Sequence, residues 1–214
     1  MIERTTAGMR QTYRNPLVDE IRLPYSGDCV VRYTDGSEKL LPISADPVYT
    51  AQYGIPLSED GSYLAIGSWE TGVAVYATLT GEKLWSYRTT RITRVMIAQP
   101  RLIAVKYGKG ILQFDLLTGS KTGEIRSTTA EKAYPLPNER ALVCSVSGKY
   151  AVVRLADLAI ERQFPKSALN PNQRLSFVIT DARAEDGRIV VYGFEGDGGN
   201  AAGVPFRRVL CRIE

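Results

Sequence analysis

Gly72–Gly81 reads GVAVYATLTG, and Gly110–Gly119 repeats the pattern as GILQFDLLTG. Each stretch begins and ends with glycine, alternates apolar side chains in its first half and closes on Leu-Thr-Gly. Alternation with a period of two is typical of a half-buried β-strand, and the closing Thr-Gly marks a turn into the next strand. The two copies start 38 residues apart. They therefore indicate a repeated β-unit.

The same period extends along the rest of the chain. Five short apolar runs each follow a turn, and their equivalent positions are spaced by 34, 39, 40 and 47 residues: Val30, Leu64, Ile103, Val143 and Val190. A period near 40 that contains only strand patterns is the signature of a β-propeller, in which each unit buries its faces against its neighbours. The sequence therefore predicts an all-β fold, a small β-propeller of about five four-stranded blades.

The clearest unit runs from Tyr53 to Arg88. The Asp60-Gly61 pair supplies the positive φ of a tight hairpin turn, and the strand patterns that follow are separated by further turn residues. A later copy, Ala151–Glu161, keeps the alternation without the Thr-Gly turn. Leu155, Leu158, Ala159 and Arg162 also space like an amphipathic helical turn. The segment Ala151–Glu161 aligns in register with Gly72–Gly81 and Gly110–Gly119, and this alignment favours a hairpin over a helix.

The chain of 214 residues fits one propeller domain, with blades at roughly 16–50, 51–90, 91–131, 132–170 and 171–214. After Arg188–Phe194 and the loop Glu195–Gly203, the last blade has room for only one more strand, Phe206–Ile213. We therefore expect the N-terminal segment, residues 1–13, to supply its missing outer strand and to cover two exposed sheet edges.

The stretch from Gly72 through the Thr80-Gly81 turn to Trp85 resembles the repeat of quinoprotein-like and WD40-like propellers, in which a Thr-Gly turn precedes a strand that bears tryptophan. The resemblance is good over the second blade and fair over the third. It implies the fold. It supplies no functional residues, because the chain is shorter than quinoprotein dehydrogenases and lacks the histidine of the WD40 His-Asp network.

Composition excludes several classes of function. The net charge of +4 is mild and both signs are interspersed, so we predict no nucleic-acid partner. No apolar run approaches the ~18 residues of a membrane span, and the N-terminus lacks the apolar core of a signal peptide. Histidine is absent, which excludes Ser-His and Cys-His pairs and His-ligated metals. The three cysteines lie in separate apolar runs, which indicates free buried thiols in a reducing cytoplasm: Cys29, Cys144 and Cys211. We expect a cytoplasmic, bacterial protein. We predict no cofactor and no metal.

Loops on one rim of a propeller are the favoured place for binding, because function concentrates on loops that a rigid scaffold positions. Trp69 lies in a polar loop with no periodic core role, and tryptophan is enriched at interfaces. The alternative is that Trp69 covers its own blade, whereas Trp85 in an alternating strand is predicted to pack between blades. The predicted binding residues are Trp69, Glu70, Arg91, Arg94, Tyr107, Lys109 and Lys149.

Catalysis by a carboxylate pair is disfavoured, because the candidate inner strands 55–57, 95–98, 133–136 and 175–180 contain no Asp or Glu. Asp181, Glu185 and Asp186 are placed in the turn that follows. The loop Glu195–Asn200 fits neither calcium nor phosphate spacing. We therefore expect a non-catalytic binding or scaffold module for a protein partner. The alternatives are a small-ligand or carbohydrate-binding propeller and, third, an enzyme of unrecognised type.

Overall fold

A computed structural model describes residues 2–5, 8–24, 28–42, 55–126, 130–145, 149–170, 176–196 and 203–213. The chain forms two compact units, Met1–Thr128 and Thr129–Glu214, and its organisation as one domain stays a prediction. Apart from a three-residue 3-10 helix, Lys166–Ala168, the regular structure of the described residues is antiparallel β-sheet. Five sheets form the blades of a small propeller, which confirms the predicted fold class.

The first unit contains three sheets. The first sheet has the order β1-β2-β3-β4-β5 and consists of Ile2–Thr5, Gly8–Thr12, Val18–Pro24, Cys29–Tyr33 and Glu38–Leu41. The second has the order β6-β7-β8 and consists of Tyr63–Ser68, Gly72–Ala77 and Lys83–Tyr87. The third has the order β12-β11-β10-β9, and β9 to β12 are Ile92–Ala98, Arg101–Lys106, Gly110–Asp115 and Lys121–Arg126.

The second unit contains two sheets. The fourth sheet has the order β13-β14-β15-β16 and consists of Ala130–Leu136, Arg140–Ser145, Tyr150–Arg154 and Ile160–Phe164. The fifth has the order β17-β18-β19 and consists of Ser176–Glu185, Arg188–Gly196 and Val204–Arg212. The predicted number of four strands per blade is therefore present in the third and fourth sheets. The first sheet has five. Among the described residues before β6, Leu57 forms a bridge with Leu64 of the second sheet.

The N-terminal strands belong to the first sheet. In the pairing of β2 with β3, Met9 lies opposite Leu23 and Gln11 lies opposite Ile21. Met9 is buried in the core of this sheet. The Gln11 side chain accepts a hydrogen bond from the Ile55 N–H (2.8 Å) and donates one to the Ile55 carbonyl (3.4 Å). The prediction that residues 1–13 complete the last blade is therefore wrong, because burial and pairing hold β2 in the first blade.

Close packing joins the second and third sheets. A Cβ atom on Gly67 would lie 2.4 Å from a methyl carbon of Val95, so the absence of a side chain there lets β6 approach β9. The Trp85 Nε1–H donates to the carbonyl of Leu116 at 2.8 Å, and its ring centroid lies 5.6 Å from that of Phe114. The prediction that Trp85 packs between blades is confirmed.

The second unit has its own core between the fourth and fifth sheets. Tyr134 is fully buried there, and its hydroxyl donates to the Ile179 carbonyl at 2.8 Å. Val152 pairs with Arg162 across β15 and β16, which confirms the hairpin predicted for Ala151–Glu161. β17 continues through Glu185 after a register shift, so the prediction that the sheet strand ends near residue 180 is wrong.

The remaining sequence predictions concern cysteines and membranes. All three thiols are free, with Cys29 and Cys144 buried and Cys211 half-buried, as the apolar runs around them predict. In the described part of the chain, no helix has the length and hydrophobicity that a membrane crossing needs. The cytoplasmic location stays a prediction.

Candidate functional site

The turn between β6 and β7 presents Trp69 in a fixed conformation. The Ser68 hydroxyl is buried and accepts hydrogen bonds from the backbone N–H groups of Glu70 and Thr71, each at 3.2 Å. Gly72 follows with a φ of +100°, and a Cβ atom there would meet a backbone oxygen of the adjacent β8 strand at 2.2 Å. Only glycine fits this position. The hydrogen bonds to Ser68 and the close packing at Gly72 therefore restrict the backbone conformation of the turn that carries Trp69.

Arg91 connects this turn to the turn between β10 and β11. Its N–H donates to the Trp69 carbonyl at 2.6 Å, and its carbonyl accepts from the Tyr107 N–H at 2.8 Å. Arg91 has a φ of +65°, an uncommon conformation for a residue with a side chain. Such backbone persists where the surrounding structure determines it. These two hydrogen bonds fix the separation of the two turns.

The same connection brings two aromatic rings together. The ring centroids of Trp69 and Tyr107 lie 5.7 Å apart at an interplanar angle of 48°, within the range of favourable tilted pairs. Trp69 is half-buried, and Tyr107 is 37% exposed. The pair therefore offers apolar ring surface to solvent while each ring supports the other.

Charged side chains surround the aromatic pair. Glu70 follows Trp69 in the first turn, Arg91 lies between the turns, and Lys109 lies in the second turn, all three exposed. Aromatic and arginine side chains within a polar rim are the composition of binding hot spots. We call the five residues Trp69, Glu70, Arg91, Tyr107 and Lys109 the Trp69 corner.

Two further predicted binding residues are Arg94 and Lys149. Arg94 lies on β9 and pairs with Val105. Its neighbour Val95 packs into the core against the second sheet, so Arg94 belongs to the opposite face of the third sheet. Lys149 is exposed immediately before β15, in the second unit. The two residues before Lys149, Ser147 and Gly148, are outside the described residues.

The carboxylates near the end of β17 are ion-paired. Glu185 accepts hydrogen bonds from the Tyr192 hydroxyl and, at 2.7 Å, from Arg207, and these bonds hold the pKa of its carboxyl below the ordinary value. Asp181 accepts from Arg183 at 2.6 Å. A general acid needs a raised pKa, and the pKa of Glu185 is displaced in the opposite direction.

A polar groove on the second sheet escaped sequence analysis. It has a volume of about 410 Å³, and its polar lining includes Ser68, Glu70, Tyr76, Lys83, Ser86 and Arg88. The available signal was the alternation in 83–88, where Trp85 and Tyr87 face the third sheet and Ser86 and Arg88 take the other face. Because Glu70 contributes to both, the groove adjoins the Trp69 corner.

A buried carboxylate in the first sheet was also missed. Glu20 is 2% exposed and contacts three arginines, Arg10, Arg22 (3.3 Å) and Arg32 (3.4 Å). The three arginine side chains are 34–47% exposed. Arg22 lies two residues from Glu20 on β3, but Arg10 and Arg32 lie on β2 and β4 and reach Glu20 only through strand register, so no local pattern predicts the cluster. The three arginines compensate the negative charge of the buried Glu20 carboxylate, so the cluster has a structural role.

Comparisons with known proteins agree on the fold. The chain is similar to the computationally designed Ika8 protein (TM-score 0.62, 14% identity, 94% of this chain and 57% of Ika8), and to BamB from Moraxella catarrhalis (0.60, 15%, 98% and 60%). It is also similar to the Cps50 (Swd1) β-propeller domain of Myceliophteria thermophila (0.66, 10%, 99% and 73%).

These comparisons support the resemblance to quinoprotein-like and WD40-like propellers at the level of fold. The chain spans less than two thirds of the length of Ika8 and of BamB. No family model matches the sequence, and no curated protein matches it.

Proposed function

We propose that the chain is a non-catalytic binding module that holds a protein partner at the Trp69 corner. The observation that carries this proposal is the Trp69–Tyr107 pair, two partly exposed rings 5.7 Å apart on turns from adjacent sheets. Trp, Tyr and Arg are the residue types most enriched among interface hot spots. The propeller fold, which many binding proteins share, agrees with this function but does not select a partner.

Rigidity of the corner supports the same conclusion. The Ser68 hydroxyl, Gly72 and the two backbone hydrogen bonds of Arg91 fix the turns before any partner arrives. A preformed surface loses less conformational entropy on binding, so more of the contact energy appears as affinity. Arg91 and Lys109 against the single acid Glu70 give the corner an excess of positive charge, which favours an acidic surface on the partner.

Affinity capture with matched variants tests this function. Immobilised wild-type protein, Trp69→Ala and Leu117→Ala are incubated with lysate of the source organism, and retained proteins are quantified by mass spectrometry. Leu117 is 57% exposed in the turn after β11, away from the corner, and serves as the control. We expect a protein that wild type and Leu117→Ala retain and Trp69→Ala loses. An identical set on all three proteins would refute the proposal.

The groove beside Glu70 supports a second candidate function, the binding of a small polar ligand such as a sugar. Its volume of about 410 Å³ lies within the usual range for ligand sites, and Lys83, Ser86 and Arg88 supply polar groups. Ligand-detected NMR with a set of monosaccharides tests it: a signal that Lys83→Ala reduces supports the candidate, and no signal for any sugar refutes it.

A further inference from the structure

The fifth sheet ends at an open edge in the described residues. Its third strand, β19, pairs with β18, and the sheet contains three strands, whereas the third and fourth sheets contain four. In the fourth sheet the equivalent strand β15 is covered by β16. The position beside β19 is therefore the one that a fourth strand of this blade would occupy.

The backbone of β19 is oriented to receive such a strand. Pro205 lies opposite Phe194 and has no N–H, so this pair belongs to the non-hydrogen-bonded set of the ladder. Arg207 and Val209 have the same parity along the strand, opposite Tyr192 and Val190. Their N–H and C=O groups therefore point away from β18, toward the open side.

A groove lies beside the last residues of β19, where Cys211 and Arg212 contribute to its lining. It has a volume of about 260 Å³ between the fourth and fifth sheets, with an apolar lining that includes Val152, Ile189 and Ile213. Its polar lining includes Arg140, which contacts Glu161 at 2.7 Å, and Arg162, which donates to the Arg212 carbonyl at 3.1 Å. Val152 and Ile189 are 3% and 2% exposed and form the buried floor of the groove, whereas Ile213 is half-buried and accessible.

We propose that the open edge of β19 and this groove bind an extended segment of a partner protein in which apolar and acidic residues alternate. The added strand pairs with the outward N–H and C=O groups of Arg207 and Val209, as in other cases of strand addition. One face of the segment places its apolar side chains against the half-buried Ile213 in the groove, and its acidic residues, on the opposite face, lie beside the exposed Arg207.

Charge selects this occupant over a second copy of the chain. Three arginines and one glutamate line the groove, and β19 itself carries Arg207, Arg208 and Arg212 with no acidic residue. Glu185 and Glu195 pair with Arg207 and Arg208, which leaves the balance of the edge positive. Two such strands placed side by side would bring like charges together, which is unfavourable. This surface is in the second unit and does not depend on the Trp69 corner.

Peptide binding tests the proposal. The probe is a fluorescein-labelled peptide of roughly ten alternating valine and glutamate residues, long enough for one strand, and its counterpart has lysine in place of glutamate. Fluorescence anisotropy is measured with the full chain. We expect saturable binding of the acidic peptide and binding of the lysine peptide weaker by about tenfold or more. Equal binding of the two peptides, or no binding of either, overturns the proposal.

Variants at the edge locate the binding. Val209→Pro removes an outward N–H at a position with the parity of Pro205, and Val209→Ala removes only side-chain atoms. The proline variant should bind the acidic peptide about tenfold more weakly or worse, whereas the alanine variant should stay close to wild type. Equal affinities for all three proteins would contradict strand addition at this edge.

Hydrogen exchange gives a readout that needs no variant. On addition of the acidic peptide, the amides of Arg207 and Val209 should exchange more slowly than in the free chain. Unchanged exchange at both amides during saturable binding would refute the proposal. If these amides instead become protected with rising concentration of the chain alone, a second copy occupies the edge, and the proposed acidic partner segment is wrong.

Discussion

Gly67→Ala perturbs the contact that sets the spacing of the second and third sheets. The new Cβ atom would lie 2.4 Å from Cγ2 of Val95 and 2.9 Å from Cγ2 of Ile92, well inside the ~3.5–4.0 Å of a favourable carbon contact. Val95 and Ile92 are 8% and 1% exposed, so neither side chain can turn into solvent. Overpacking a buried site costs about 1–3 kcal/mol, and this double clash places the expected loss near the upper end.

A double-mutant cycle isolates the clash. Val95→Ala alone should lower the free energy of unfolding by about 2 kcal/mol because it leaves a cavity. In the double variant the new alanine fills part of that cavity, so the combined loss should fall short of the sum of the two single losses by about 1–2 kcal/mol. Urea unfolding followed by circular dichroism measures all four proteins. Losses that add within about 0.5 kcal/mol would refute the assigned contact.

Two further predictions concern the second unit and the thiols. Tyr134→Phe should lower the free energy of unfolding by about 1–2 kcal/mol in urea titrations, because it removes the buried hydrogen bond to the Ile179 carbonyl; a loss below the error of the titration would contradict the bond. In thiol titration of the native protein, Cys211 should react first and Cys144 slowly. Cys29 should also react slowly, because burial raises the pKa of its thiol to about 12; fast reaction of all three thiols would contradict their burial.

Sequence pattern predicts the elements whose determinants are local. The alternation in Gly72–Gly81 and its copy in Gly110–Gly119 specify strands β7 and β11 because side-chain period and turn glycines lie within one short stretch. The hairpin at Ala151–Glu161 follows from the same alternation. The pairing partner of residues 1–13 was not predictable in this way, because a short strand carries no information about which sheet edge it joins. Burial of Met9 decides that question.

The candidate site was predicted in part for the same reason. The sequence identifies Trp69 and Tyr107 as aromatic residues in loops. The contact between their rings, however, depends on the left-handed backbone conformation of Arg91, and the sequence gives no sign of that conformation because the residue is not glycine. Closeness to Arg91 in sequence predicts that Arg94 belongs to the corner, yet strand pleating puts Arg94 on the other face of the third sheet. Residues that are close in sequence are therefore not always on the same surface.

Fluorescence of Trp69 tests the central claim, that the Trp69 corner binds a protein partner. The chain contains two tryptophans, so Trp85→Phe leaves Trp69 as the single reporter. The partner identified by affinity capture is purified and added to saturation, and acrylamide quenching of Trp69 is measured. The account predicts weaker quenching and emission at shorter wavelength, because the partner covers the ring. Unchanged quenching and emission in the saturated complex would contradict it.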